Sequence, residues 1–167
     1  MENRAHLLRH DASHRDGKRP GGGNILVWDG DAVSLLATAG ALHHAGHRCV
    51  CAKQPGAVWQ SLDLGLPDLA VFDVGRDANL ALDVLTKLRQ RDDLQRIPAI
   101  LLAESSWAGL EYKAEKMTVA TRCLFRPIDP QTLIDLVDSL LWMPALVSNH
   151  RRRGTQPSNH RWITLDC

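Results

Sequence analysis

Five short apolar runs, each separated from the next by a longer segment with helical spacing, constrain this chain more than any other feature. They read "NILVW" (24 to 28), "HRCVCA" (47 to 52), "DLAVFD" (68 to 73), "PAILLA" (98 to 103) and "RCLF" (122 to 125). Apolar runs of this length, rich in Val, Ile, Leu and Phe, read as strands. Between them the period changes. In the last interval Leu133, Leu136, Val137, Leu140 and Leu141 fall on one helical face, with Asp129 placed to cap the N-terminus and Pro130 in the first turn. Leu80, Val84, Leu85 and Leu88 do the same over 78 to 91, and the segment 32 to 45 ends at Gly46, a helix stop. The segments 56 to 64 and 108 to 118 carry a fainter helical pattern. Strands that are apolar on both faces and alternate with helices predict an α/β fold: a five-stranded parallel sheet, doubly wound, with helices on both sides.

A chain of 167 residues supports one such core and not two. Residues 1 to 23 are polar and end in Pro20 and three glycines, so they read as a flexible arm. The domain is expected over 24 to 143, and the polar segment 144 to 167 reads as a tail. No apolar run reaches the length of a membrane span and the N-terminus lacks the apolar block of a secretory signal, so a cytoplasmic protein without a membrane partner is expected. A formal charge of +1 gives no global reason to expect nucleic acid, and the short run Arg151 to Arg153 reads as solvated. The four cysteines include no C-x-x-C pair; Cys49 and Cys51 share one face of a strand as small buried thiols. His6, His10 and His14 recur every fourth residue in the arm, and His43, His44 and His47 cluster where a helix ends and its dipole favours positive charge. Phe125 and Trp142 read as packing residues.

In open parallel sheets, ligands bind beyond the carboxyl ends of the strands. The residues there are Asp29, Asp73, Ala103 and Arg126, with Asp31 just past the first strand and placed to cap the following helix. An ionised group at the end of the apolar run "LAVF" is costly unless it faces solvent or meets a cation. A metal or Arg126, whose planar fork can grip a carboxylate with two parallel hydrogen bonds, can neutralise it.

The order and spacing of "ILVWDGD", "PDLAVFDV", "IPAILLA" and "CLFRPID" resemble the receiver domain of two-component response regulators, over about residues 24 to 143. The resemblance implies the CheY-like, flavodoxin-like (βα)5 sandwich, with Asp73 at the phosphoacceptor position and Asp29 at the first acidic position after the first strand. It also implies a magnesium ion held by Asp29, Asp73 and the backbone of Gly75. The chain departs from the family elsewhere: Gly30 replaces the second acidic residue, Ala103 the hydroxyl that ends the fourth strand, and Arg126 the lysine before Pro127. Cys123 stands where an aromatic switch residue is common, and Ser105 is the nearest hydroxyl after Ala103.

With those departures the resemblance implies a degenerate receiver, not an enzyme, that works in phosphorelay signalling by binding a histidine kinase or a downstream effector. In this reading phosphorylation has little or no part, and magnesium binding is weakened by the lost acid. Residues 108 to 143 correspond to the family's interaction surface. The alternative reading is a working receiver phosphorylated on Asp73 by a histidine kinase in a magnesium-dependent reaction. A nucleotide-binding enzyme is disfavoured, because "DGDAVS" after the first strand is neither G-x-G-x-x-G nor a P-loop. Whether two copies pair into a homodimer is left open by the sequence.

Overall fold

Period-two alternation along the strands divides the apolar side chains between two layers. In the computed structural model, which describes residues 22–107, 109–117 and 119–152, the strands are β1 (Asn24–Trp28), β2 (Arg48–Ala52), β3 (Leu69–Asp73), β4 (Ala99–Ala103) and β5 (Thr121–Phe125). They form one parallel sheet in the order β2-β1-β3-β4-β5. Ile25, Val27, Leu69, Val71, Ile100 and Leu102 point to one side, against Leu35 and Leu42 of α1 (Ala32–His44) and Leu133, Val137 and Leu140 of α5 (Pro130–Arg152). Leu26, Trp28, Ala70, Phe72, Leu101 and Ala103 point to the other, against α2 (Pro55–Ser61), α3 (Ala78–Arg89) and α4 (Leu110–Glu115). Burying each Val, Leu, Ile or Phe contributes about 1.5 to 3 kcal/mol, so the two layers supply the main drive to fold. This is the doubly wound parallel sheet that the five apolar runs predict.

The helix starts are fixed by acidic caps. Asp31 Oδ1 accepts from the Ser34 N–H, Asp77 Oδ1 from the N–H groups of Asn79 and Leu80, and Asp129 Oδ2 from the Thr132 N–H. Each satisfies donors that the first helical turn leaves unpaired. The two fainter helical segments form shorter helices than their patterns suggest. Gly109, in left-handed backbone with φ of 97°, sets the start of α4, a helix of six residues.

Two expectations change at the ends of the domain. The glycines at 22 and 23 are not a flexible arm but part of the packed structure. The Gly23 N–H donates to His47 Nδ1, and its carbonyl accepts from the Arg48 N–H. A Cβ on Gly22 would lie 1.8 Å from the Gly46 carbonyl oxygen, and one on Gly23 would lie 2.7 Å from Leu141 Cδ1. Glycine is therefore needed here for close approach. At the other end, α5 does not stop near Met143 but continues to Arg152. His47 is buried with Nε2 3.3 Å from Asp138 Oδ1 of α5, so it belongs to the packing of this corner more than to the end of α1. His6, His10 and His14 lie outside the described residues. No helix among the described residues is long and apolar enough to cross a membrane.

Trp142 is 60% exposed, contrary to its reading as a packing residue. Cys51 is also exposed, since β2 is an edge strand covered by fewer neighbours.

Candidate functional site

The strand register brings the polar rim together. Trp28 pairs with Phe72 and Asp73 pairs with Leu102, which sets Asp29 beside Asp73 one step past the paired residues. Ala103 pairs with Phe125, and the Arg126 N–H continues the ladder by donating to the Ala103 carbonyl at 2.8 Å. Alternation then selects the side. Asp29, Asp73, Glu104 and Arg126 are each in phase with residues facing α1 and α5, such as Val27, Val71, Leu102 and Leu124. Ala103 is in the opposite phase, and its methyl group is buried in the layer beneath α2, α3 and α4.

Arg126 is the centre of this arrangement. Its Nη2 donates to Asp73 Oδ1 at 2.8 Å and to Ser34 Oγ at 2.9 Å, and lies 3.7 Å from Asp29 Oδ2; its Nε lies 3.5 Å from Glu104 Oε1. The expected two-pronged grip on Asp73 is not formed. One nitrogen is shared between a carboxylate and a hydroxyl instead, because three carboxylates approach the guanidinium from different strands. The peptide bond from Arg126 to Pro127 is cis.

Asp29 is 3% exposed. Its Oδ1 accepts from the Asp31 N–H at 2.8 Å, while Oδ2 is buried with no hydrogen-bond partner. Asp73 is half-buried, and Gly75, at φ of 56°, lies close to its carboxylate. Burial pushes the Asp73 carboxyl above its usual value, and the Asp29 charge adds to this, while Arg126 and the Gly75 N–H pull the other way. The hydrogen bond to Asp73 holds the Arg126 guanidinium more firmly in its charged form.

The third oxygen of the expected magnesium set has its own donor. Trp107, in the short 3-10 turn Ser105–Trp107 after β4, donates its indole N–H to the Gly75 carbonyl at 3.1 Å. Asp73 Oδ1, Asp29 Oδ1 and the Gly75 carbonyl thus each accept a hydrogen bond from within the chain. With Gly30 contributing no side chain and a guanidinium already among the carboxylates, the residues present do not fit a divalent cation. No group of three or more His, Cys, Asp or Glu residues among the described ones is arranged to hold a metal ion.

Sequence reasoning placed Asp29, Asp73 and Arg126 together and missed Ser34, Glu104 and Trp107. Glu104 could have been found, since it directly follows the strand end at Ala103 and shares the phase of Asp73. Ser34 and Trp107 carry no local signal, because each reaches the site from a different loop or helix. Cys123 is half-buried in β5, with its charge environment set by Glu111 and Glu115 of α4, and Ser105 is exposed in the turn after β4.

No family model and no curated protein matches the chain. Solved structures do. The chemotaxis protein CheY4 of Vibrio cholerae superposes with a TM-score of 0.64 at 16% identity, over 72% of this chain and 99% of that one. The fold is that of a response-regulator receiver domain. A putative response regulator from Chloroflexus aurantiacus matches the receiver fold with a TM-score of 0.63 and 21% identity, over 72% of this chain and 98% of its own. NtrX from Brucella abortus reaches a TM-score of 0.68 at 17% identity, over 86% of this chain and 32% of that protein. In the receiver fold, the rim built here by Asp29, Asp73 and Arg126 lies at the carboxyl ends of the strands, beyond β1 and β3 where the strand order reverses.

Proposed function

We propose that this chain is a receiver-like module of two-component signalling that acts by binding a partner protein, with the Arg126 to Asp73 contact standing where phosphorylation would otherwise act. The contact at 2.8 Å carries this reading. A carboxylate that attacks a phosphoryl group must offer a lone pair in line with the leaving oxygen, and transfer depends on positioned positive charge around that group. Here Oδ1 of Asp73 already accepts a hydrogen bond from a guanidinium that Ser34 and Glu104 also hold. Freeing it means giving up a charge-assisted hydrogen bond of about 1.5 to 3 kcal/mol, roughly ten- to a hundredfold in the population of competent sites.

The rest of the rim points the same way. Ala103 offers no hydroxyl to bind a phosphoryl oxygen, and its methyl group faces the other layer of the core. The partner is a protein, either a histidine kinase or a downstream effector, and the module itself performs no catalysis. Its docking surface is the α4, β5 and α5 end, where Tyr112 and Trp142 are 62% and 60% exposed. Tyr112 is held by Lys116, whose ammonium lies 4.1 Å from the ring centroid. Large exposed aromatics at such positions are typical anchors of protein interfaces.

Intact-mass spectrometry after incubation with acetyl phosphate and magnesium tests this, with Asp73→Asn as control. The expected result is no adduct on the folded wild-type chain. A single phosphoryl adduct that disappears in Asp73→Asn would make Asp73 a phosphoacceptor and overturn this reading.

A further inference from the structure

We infer that Arg126 and Trp107 together are a resident substitute for a divalent cation, so that the native chain takes up no such ion at this rim and shortening Arg126 opens a site for one. The inference deepens the partner-binding reading and rests on the same rim. It does not depend on which partner is bound.

The charges set the need. Three carboxylates, Asp29, Asp73 and Glu104, approach one guanidinium at 3.7, 2.8 and 3.5 Å. An ammonium on a flexible stem would neutralise one of them as a point charge, whereas the guanidinium spreads its charge over several nitrogens and reaches all three from one place. Arg126 thereby supplies the neutralisation that an ion would otherwise bring. It also fills space between the carboxylates that an ion and its waters would need.

The oxygens complete the case. Asp29 Oδ2 is buried, makes no hydrogen bond, and has the guanidinium as its nearby positive charge. With Arg126 cut back, this oxygen and Asp73 Oδ1, which both face Nη2, lose their cation in a partly buried position. That is the donor set on which a small divalent ion gains most, because one or two carboxylates plus waters suffice for it. Trp107 controls the third oxygen. Its ring packs against the core layer under α3 and α4 while its N–H holds the Gly75 carbonyl, so it ties the turn after β4 to the loop after β3.

Manganese, followed by the loss of the free-ion signal in electron paramagnetic resonance, is the probe, used on the full chain with circular dichroism as the check on folding. Wild type is expected to remove no manganese at millimolar concentration. Arg126→Met, which keeps most of the apolar stem, and Arg126→Ala should each bind one equivalent at least about tenfold more tightly than wild type. Asp29→Asn in either background should abolish it, and adding Trp107→Phe to Arg126→Met should tighten it further. One equivalent bound by wild type and lost in Asp29→Asn overturns the inference without recourse to any Arg126 variant. A folded Arg126→Met chain that binds none overturns it as well. The phosphorylation experiment fails separately: an adduct on wild type that binds no manganese removes the partner-binding reading and leaves the resident cation in place, and manganese binding without an adduct does the reverse.

Discussion

Arg126 and Asp73, 53 positions apart in the chain, meet through a single 2.8 Å hydrogen bond from Nη2 to Oδ1, with the second hydrogen of that nitrogen given to Ser34. The contact joins the ends of β3 and β5 across β4, and it ties both to the first turn of α1.

Its strength is measurable as a coupling. Arg126→Ala leaves the buried Asp29 and the half-buried Asp73 as neighbouring carboxylates without their cation, and should destabilise the chain by about 1 to 3 kcal/mol in urea melts. In an Asp73→Asn background the same change should cost less, because one of the charges it neutralises is gone. A double-mutant cycle should give an interaction of about 1 to 2 kcal/mol. Additive losses would mean that the guanidinium acts on the fold through packing alone.

The acid side of the stability curve depends on Asp73. Burial raises its carboxyl above the usual value of 3.8, and the Asp29 charge raises it further. A group raised on folding contributes stability that is fully present below its unfolded value and is lost as pH rises through its folded value. Relative to Asp73→Asn, the wild-type chain should therefore be favoured most in acid, with the advantage falling from about pH 4 upward. Asp29→Asn should move the Asp73 titration to lower pH, read directly from the carboxyl carbon by nuclear magnetic resonance. An unchanged midpoint would show that the two carboxylates do not sense each other.

The cysteines of the sheet should be slow to react. Burial, and in turn the neighbouring Cys51, pushes the Cys49 thiol from 9.0 up to about 11. Burial followed by Glu111 and Glu115 does the same for Cys123, also to about 11. Only the thiolate is nucleophilic, so two units cost about a hundredfold in reactive form at pH 8. Iodoacetamide labelling followed by peptide mass mapping should show both sites protected in the native chain and labelled about a hundredfold faster in denaturant. Labelling of the native chain should rise about tenfold per pH unit up to 10. A native rate equal to the denatured one would place both thiols in water.

Close approach at the N-terminal corner predicts an unusual cost for a small change. Gly22→Ala brings a methyl group against the Gly46 carbonyl, a backbone atom that cannot rotate away. It should destabilise by about 1 to 3 kcal/mol, as overpacking does. Gly23→Ala meets Leu141 Cδ1 instead, the end of a rotatable side chain, and should cost less. Thermal melts of the two variants give the ranking, and a reversed order would show that the corner adjusts its backbone before its side chains.

Much of the fold was written in local pattern. The five apolar runs became the five strands, because a strand covered on both faces leaves an uninterrupted apolar stretch that little else explains. The meeting of Asp29, Asp73 and Arg126 followed from where parallel strands end. The burial of Asp29 did not, since its neighbours Gly30 and Asp31 look like a solvated turn and only α1 and the Arg126 side chain close it off. The single-pronged grip on Asp73 was equally hidden: it depends on Ser34 and Glu104 competing for the same guanidinium. The two glycines at 22 and 23 read as part of a flexible arm by composition, yet Gly46 and Leu141 stand where a Cβ would go. Composition cannot tell freedom from crowding.

The length of α5 has a mechanical meaning. Its 23 residues span about 34 Å, roughly twice the length of the five-residue strands it crosses. Val137 is one of its fully buried anchor points, and Arg152 lies fifteen positions further on, about 22 Å along the axis. A tilt of about 10° at the sheet would therefore swing the far end by about 4 Å, with the rim of strand ends scarcely disturbed. The helix is a pointer whose pivot lies in the core, and any tilt at its buried residues is magnified with distance along it.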